Sequence, residues 1–393
     1  MARGRKFTIA QDLLQDLLDR FEDGTAQPVG YPDHGGFADI TASDVFMRKI
    51  GEAERRGGVA LVYGSGRRRG ELKLVRLTDA RLLYEYLDRT PSRQTALTVG
   101  EEVLGGLSIH PAIRDVAFSA VEAWSRNRKW INIGVESAAS MRNAVILAQA
   151  IVEKRHLDLD YRTFSRRIVA DSKALEKLEG AVLRLVGAVV DVPPASSARA
   201  AFATLGLERF SPPLLLSGRF LLDGISVGAS LSYLGIPPTE MMRISFSRQP
   251  DYVLTVENFA SFNRHVLEAD PNGSGLTLFV GGYPSLAAQK AIAVVASMLP
   301  DTVPFFHWSD IDADGTWIFR TIERALERRL RPHLMSRELA EAFGVASIGA
   351  SKLRRGEAAG SMISNLVDYL AQPEAKIMEQ EQVDPQIPNI VAT

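Results

Sequence analysis

From residue 245 onward the chain alternates short apolar runs with longer amphipathic ones, and few architectures satisfy that pattern. YVLTV (252–256), LTLFVG (276–281) and VPFFHW (303–308) are too short for helices, and their near-continuous apolar character marks strands buried on both faces. FASFNRHVLEA (259–269), SLAAQKAIAVVASML (285–299) and GTWIFRTIERALE (315–327) carry helical spacing, with a further short strand expected at PHLM (332–335). Strands alternating with helices predict a parallel sheet covered on both faces, and in such sheets function collects at the carboxyl ends of the strands.

Two of these strand ends are acidic. TVENF places Glu257 after the first strand, and HWSDIDADGT places Asp310, Asp312 and Asp314 after the third. Carboxylates this close repel and raise one another's pKa unless a positive charge sits among them. Hard oxygen donors without His or Cys suit one or two Mg²⁺ or Mn²⁺ ions, which act at phosphate substrates as Lewis acids and activators of water. Gly315 permits a tight turn into a helix whose N-terminus favours phosphate. Asp314 reads as a second metal-binding acid or, slightly preferred, as that helix's N-cap. His307 and Trp308 read as packing residues.

The aspartate string alone leaves other chemistries open. Asp310, Asp312, Asp314 and Gly315 satisfy the first half of an EF-hand calcium loop, but Thr321 stands where the bidentate Glu belongs and a strand replaces the entering helix. Asp312 to Thr316, DADGT, resembles the nucleophile motif of haloacid-dehalogenase phosphatases, yet no downstream acidic pair follows in the short remainder of the chain.

Upstream the pattern is mainly helical. Residues 1–95 form one expected domain: an amphipathic helix over 8–21, a Gly/Pro-rich loop over 24–36, a helix from Ser43 to Gly57, strands GVALVY and ELKLVRL, and a closing helix DARLLYEYLDR. Helices followed by a hairpin with a basic tip suggest a winged helix whose Arg67, Arg68 and Arg69 reach phosphates, although a solvated turn explains them equally. Residues 96–244 form a second, helical domain of winged-helix type. There TFSRRIVADSKALEKLEGAVLRLV reads as two helices meeting near Asp171 and Ser172, with Arg166, Arg167 and Lys173 as candidate DNA contacts. Residues 245–371 form the α/β domain, and the polar, Pro-containing tail 372–393 reads as disordered. The predicted class is thus α+β multidomain.

The ordered set VENF, LFVGG and HWSDIDADG resembles the Toprim domain of topoisomerases, primases and some nucleases. Within that group it looks like the JetD family, nuclease subunits of Wadjet systems that act with an SMC-like motor complex against plasmid DNA and are related to the A subunit of topoisomerase VI. ADSKALEKLE, FATLGLERF and SYLGIPP are similar to segments that this family carries before its Toprim domain, while Ser309 stands where the family often has Gly. The resemblance implies that Glu257, Asp310 and Asp312 hold the metal at a scissile phosphate. It also implies a double-stranded DNA substrate, SMC-like motor subunits as partners, and a homodimer, since cutting both strands requires two sites.

The topoisomerase relatives attack through a tyrosine on a helix-turn-helix domain, and in the stretch expected to hold it only Tyr161 is available, ahead of the expected helix turn. Hydrolysis by water is therefore expected instead of a covalent adduct. A competing expectation from another class is a non-catalytic DNA-binding adaptor of the same fold. Arg320, Arg324 and Arg328 recur every fourth residue beyond the aspartates and read either as a DNA backbone track or as a solvated face paired with Glu323 and Glu327.

Charge and composition set outer limits. With 46 Lys+Arg against 47 Asp+Glu, DNA binding has to come from local basic clusters. The absence of cysteine excludes disulfides, thiolate metal sites and cysteine nucleophiles. The acidic, amphipathic start lacks a signal peptide's apolar core, and no apolar run is long enough to span a bilayer, so a cytoplasmic, non-membrane protein is expected.

Overall fold

The computed structural model describes residues 5–66, 69–193, 197–208, 211–227, 231–346 and 353–390. The chain divides into two compact units, residues 1–153 with 176–189, and residues 154–175 with 190–393.

In the first unit, strand β1 (Lys6–Phe7) leads into helix α1 (Ala10–Glu22), followed by β2 (Val29–Pro32), α2 (Ile40–Arg55), β3 (Val59–Tyr63), β4 (Leu72–Leu77) and α3 (Ala80–Leu87). Leu13, Leu14, Leu17 and Leu18 of α1 are almost wholly buried with Phe46, Ile50 and Val75, so one apolar stripe organises this core. At about 1.5–3 kcal/mol for each fully buried Leu or Val, that stripe outweighs the modest propensity of so short a helix. The strands form one sheet in the order β1-β2-β4-β3. Residues 29–32, expected as loop, pair in parallel with β1 and antiparallel with β4. The second helix begins earlier than its Ser43 signal, because Asp39 caps it by accepting the Ala42 N–H at 2.7 Å. Of the hairpin arginines, Arg69 is exposed, and Arg67 and Arg68 lie outside the described residues. Helices α4 (Ser92–Leu104), α5 (Pro111–Ser125) and α6 (Ala138–Val152) complete the unit together with most of α8 below; a Cβ at Gly100 would stand 2.8 Å from the Val121 side chain, which sets the close approach of α4 to α5.

The second unit opens with α7 (Tyr161–Val169), and its turn leads into α8 (Ala174–Val186). The fully buried Ser165 hydroxyl accepts from Leu175 N at 3.1 Å and so fixes the turn at Asp171 and Ser172. There follow α9 (Ala198–Thr204), β5 (Leu214–Ser217), β6 (Phe220–Leu222), β7 (Ile225–Val227), β8 (Leu234–Ile236) and β9 (Ile244–Ser245). Then come β10 (Val253–Val256), α10 (Phe259–Arg264), β11 (Leu276–Phe279), α11 (Leu286–Ser297), β12 (Phe305–Trp308), α12 (Ala313–Ala325), β13 (Leu330–Pro332), α13 (Arg337–Phe343), β14 (Val345–Ala346), α14 (Ser364–Leu370) and β15 (Lys376–Ile377).

The main sheet runs β13-β12-β10-β11-β5-β8. Strands β10 to β13 are parallel, while β5 pairs antiparallel with β11 and β8 antiparallel with β5. The stretch from 96 to 244 is therefore not helical throughout, since the sheet reaches back to residue 214. Its LLLS run was too short to separate from a helix segment by periodicity. All four residues of β10 are buried, as a central parallel strand requires.

The order β12-β10-β11 means that the chain leaves β10 to one side and then returns past it. Right-handed crossovers place α10 on one face and α11 with α12 on the other, and α11 does pack against α12. The point of reversal lies between β10 and β12, at whose carboxyl ends open α/β sheets hold their ligands. No helix among the described residues is long and apolar enough to cross a membrane.

Candidate metal centre at the carboxyl ends of β10 and β12

Parallel pairing of Val256 with Trp308 puts the residues that follow each strand side by side. Glu257 N donates to Trp308 O at 3.0 Å, and the Glu257 carboxylate accepts from Asp310 N at 3.3 Å. Asp310 Oδ1 accepts from Gln380 N at 2.6 Å, and Asp312 Oδ1 accepts from Gly315 N at 2.7 Å. Gly315 is obligatory, because a Cβ there would sit 2.1 Å from Asp310 O. The buried Ser309 hydroxyl donates to Gly315 O at 3.2 Å, tying the loop to the start of α12. The extra side chain at Ser309 thus has a structural use.

The cap of α12 is Asp312, not Asp314. The helix starts one residue after Asp312, so Asp314 falls in its first turn, and its Oδ1 is buried without a hydrogen-bond partner. An orphaned carboxylate oxygen carries the desolvation penalty of an unmade bond, about 1–3 kcal/mol or more for a charged group.

Electrostatics carry the same mark of uncompensated charge. Burial, followed by the neighbouring Asp310 carboxylate, pushes Glu257 up to about 8. Burial pushes Asp310 up to about 6 against the opposing Gln380 N–H, with Glu379 and Asp312 adding repulsion. Asp312 is raised chiefly by burial, against the Gly315 N–H. The carboxylates converge, but each leans on a backbone N–H and not on a common point, and no group of three or more acids or histidines among the described residues is spaced to hold a metal as the side chains stand. Oxygen-only donors, raised pKa values and an orphaned buried oxygen fit a hard divalent cation in chemistry.

The expected disordered tail is the element that the sequence misjudged. Met378 and Ile311 exchange backbone hydrogen bonds at 2.8 and 3.1 Å, laying residues 376–383 across the loop that carries the aspartates. Gln380 is fully buried beside Asp310, and exposed Glu379 brings a further carboxylate. The legible signal was the spacing Glu379 to Gln382, which forms a capping box around a short 3₁₀ turn.

The outlying candidates divide. Arg320 pairs with Glu357 at 3.0 Å and Arg324 with Asp191 at 3.1 Å. Arg328 lies beyond the end of α12, pairs with Asp301 at 3.3 Å and donates to three carbonyls. These arginines are engaged by acids other than Glu323 and Glu327, and they do not form the expected stripe on one helix. Arg166 and Arg167 on α7, with Lys173 in the turn, are exposed. Tyr161 is only 3% exposed and packs edge-on to Phe202. His307 and Trp308 are fully buried, and Thr321 is buried on α12 away from any calcium-loop role. The Thr255 hydroxyl lies 2.8 Å from His307 Nδ1.

Residues 210–385 match the family model described as Wadjet protein JetD, C-terminal. A Wadjet protein JetD from Bacillus cereus (strain Q1) is 22% identical over 235 residues, 55% of this chain and 56% of the relative. The match therefore spans a little over half of that protein's length. Both acid-bearing strand ends, and Gln380 across them, lie inside the matched segment.

Proposed function

We propose, from the similarity of residues 210–385 to the C-terminal part of JetD, that this chain is a divalent-metal-dependent DNA endonuclease of Toprim type. It hydrolyses phosphodiesters of plasmid DNA as the nuclease subunit of an SMC-like Wadjet complex. The observation that carries this reading is the convergence of Glu257, Asp310 and Asp312 on the reversal point of the parallel sheet, with the buried, unpartnered Asp314 oxygen beside them.

Glu257, Asp310 and Asp312 would hold Mg²⁺ or Mn²⁺, with Asp314, in the first turn of α12, as a further acid for the ion. When bound, such an ion neutralises charge on the scissile phosphate and lowers the pKa of a water. The chain's own residues do the rest. In the metal-free protein burial and the neighbouring acids raise Glu257, so a cation arriving there would displace its proton and leave a ligand carboxylate that also stands close enough to the site to take part in proton transfer. The positive end of α12 faces the same loop and favours a phosphate there. Burial of Tyr161 supports attack by water over a covalent tyrosyl adduct.

The helices and hairpin of residues 1–95 and the exposed Arg166, Arg167 and Lys173 are assigned to winged-helix-type docking on double-stranded DNA or on the motor subunits. Two copies of the chain supply two sites, one for each strand. The test is plasmid cleavage in Mg²⁺ or Mn²⁺, with and without the partner subunits, comparing wild type with Glu257→Ala. Metal-dependent linearisation by wild type alone is expected; equal cleavage by the variant refutes the site, and no cleavage under any condition favours a DNA-binding adaptor.

A further inference from the structure

Gln380 is a neutral amide buried to 0% exposure between exposed Glu379 and Glu381. Burying a carboxamide is unfavourable unless both ends are paired, and a Leu or Met would fill the same space without that requirement. Both ends are paired here. Oε1 accepts from Asn258 N at 2.9 Å, and Nε2 donates to Trp308 O at 3.1 Å. Asn258 follows Glu257, and Trp308 stands two residues before Asp310. The backbone N–H of Gln380 is the group that holds Asp310 Oδ1.

The β10–β12 ladder ends at Val256 and Trp308, just before the acids begin. Beyond that point the Glu257 N–H still reaches Trp308 O at 3.0 Å, and the Gln380 side chain adds one more rung, a peptide-like amide that bridges Asn258 and Trp308 against the repulsion of the neighbouring carboxylates. The strap that delivers it is anchored on both sides of the sheet end. Ile311 pairs with Met378, Asn258 Nδ2 donates to Glu381 at 2.8 Å, Arg264 pairs with Asp384 at 2.8 Å, and His333 Nε2 meets Gln386 O at 3.0 Å.

We propose that Gln380 is a positioning residue for the metal-binding acids, setting the separation of Glu257 from Asp310 and the rotation of the Asp310 carboxylate through contacts to both strand ends. The assignment rests on the nuclease reading above. A residue of this kind acts on cation affinity through the ligands, where outer partners are worth about 10- to 100-fold.

The test is a Mn²⁺ titration of the full chain by electron paramagnetic resonance, with melting curves in parallel, for wild type, Asp310→Ala, Gln380→Met and Gln380→Leu. Either apolar variant that melts cooperatively is expected to need about 10- to 100-fold more Mn²⁺ for half-saturation. In the metal-free protein the Asn258 amide is expected to exchange faster, while the Leu254 amide inside the ladder stays protected. Wild-type Mn²⁺ affinity in a folded Gln380 variant, with binding lost in Asp310→Ala, overturns the proposal and leaves the nuclease reading standing. Failure of both apolar variants to fold assigns Gln380 to the fold alone and overturns it too. Absence of Asp310-dependent Mn²⁺ binding in wild type overturns the nuclease reading and this proposal with it.

Discussion

The two ends of strand β10 treat buried acids in opposite ways. At the N-terminal end, Asp270 is 6% exposed and accepts from the Tyr252 hydroxyl at 2.9 Å, Ser274 N at 2.8 Å and Gly275 N at 2.8 Å. His265 Nε2 lies 3.1 Å from the same hydroxyl, under the loop before β11, while its Nδ1 is buried without a partner. At the C-terminal end the acids stand together with one N–H apiece, and Asp314 Oδ1 has none. An acid that fastens a loop is surrounded by donors until its charge is compensated. Acids left short of donors beside one another keep charge that a cation would compensate.

The largest effects should separate these two kinds of acid. Asp310→Ala is expected to reduce Mg²⁺-dependent plasmid cleavage by roughly 100- to 1,000-fold, the scale of a single electrostatic stabiliser of a transition state. The melting temperature of the metal-free variant changes little, because removing a repelling charge offsets the lost acceptor of the Gln380 N–H. Asp270→Ala should do the reverse. Three donors lose their acceptor at about 1 kcal/mol or more each, so urea denaturation should show a loss of about 3 kcal/mol. A stability loss in Asp310→Ala as large as that in Asp270→Ala would erase the distinction.

Acidity sharpens the comparison with opposite signs. Burial pushes His265 and His333 down to about 4 and His307 to about 3, below the ordinary 6.5. As pH falls below 6.5 the unfolded chain takes up protons that the folded chain refuses, so their stabilisation is present above 6.5 and is lost toward pH 4. Glu257 and Asp310, raised to about 8 and about 6, keep protons in the folded state after the unfolded chain has ionised. Their contribution is lost as pH rises toward 8. Melts of metal-free protein should peak between these limits, and Mg²⁺ should raise the melting temperature more at pH 8 than at pH 6. Equal Mg²⁺ shifts at both pH values would contradict a site built on these acids.

Smaller effects belong to the basic residues. Arg166→Ala should weaken DNA binding without altering metal affinity and should lower the salt slope by about one unit. Arg320→Ala breaks one ion pair, and a stability change below about 1 kcal/mol is expected by thermal melt.

Much of the second unit was legible because buried parallel strands write continuous apolar runs, and YVLTV, LTLFVG and VPFFHW all became strands of one sheet. That Glu257, Asp310 and Asp312 come together was legible, because residues just past neighbouring parallel strands meet at one sheet end. Three parts were not. Strands β5 and β8 are short, and an apolar run of three or four residues has no period to read. The cap of α12 depended on whether the backbone turns at Asp312 or Asp314, a choice settled by the close approach of Gly315 to Asp310 O. The strap carrying Gln380 is polar and Pro-containing, and its burial comes from pairing with Ile311, a long-range contact that local composition does not encode.

The most direct measurement is anomalous diffraction from crystals of the full chain soaked in Mn²⁺. A peak bounded by the carboxylates of Glu257, Asp310 and Asp312, absent from Asp310→Ala crystals treated alike, is the result expected of a cation site at the reversal point of the sheet. Mn²⁺ density elsewhere in the chain, with nothing between those three acids, would contradict it.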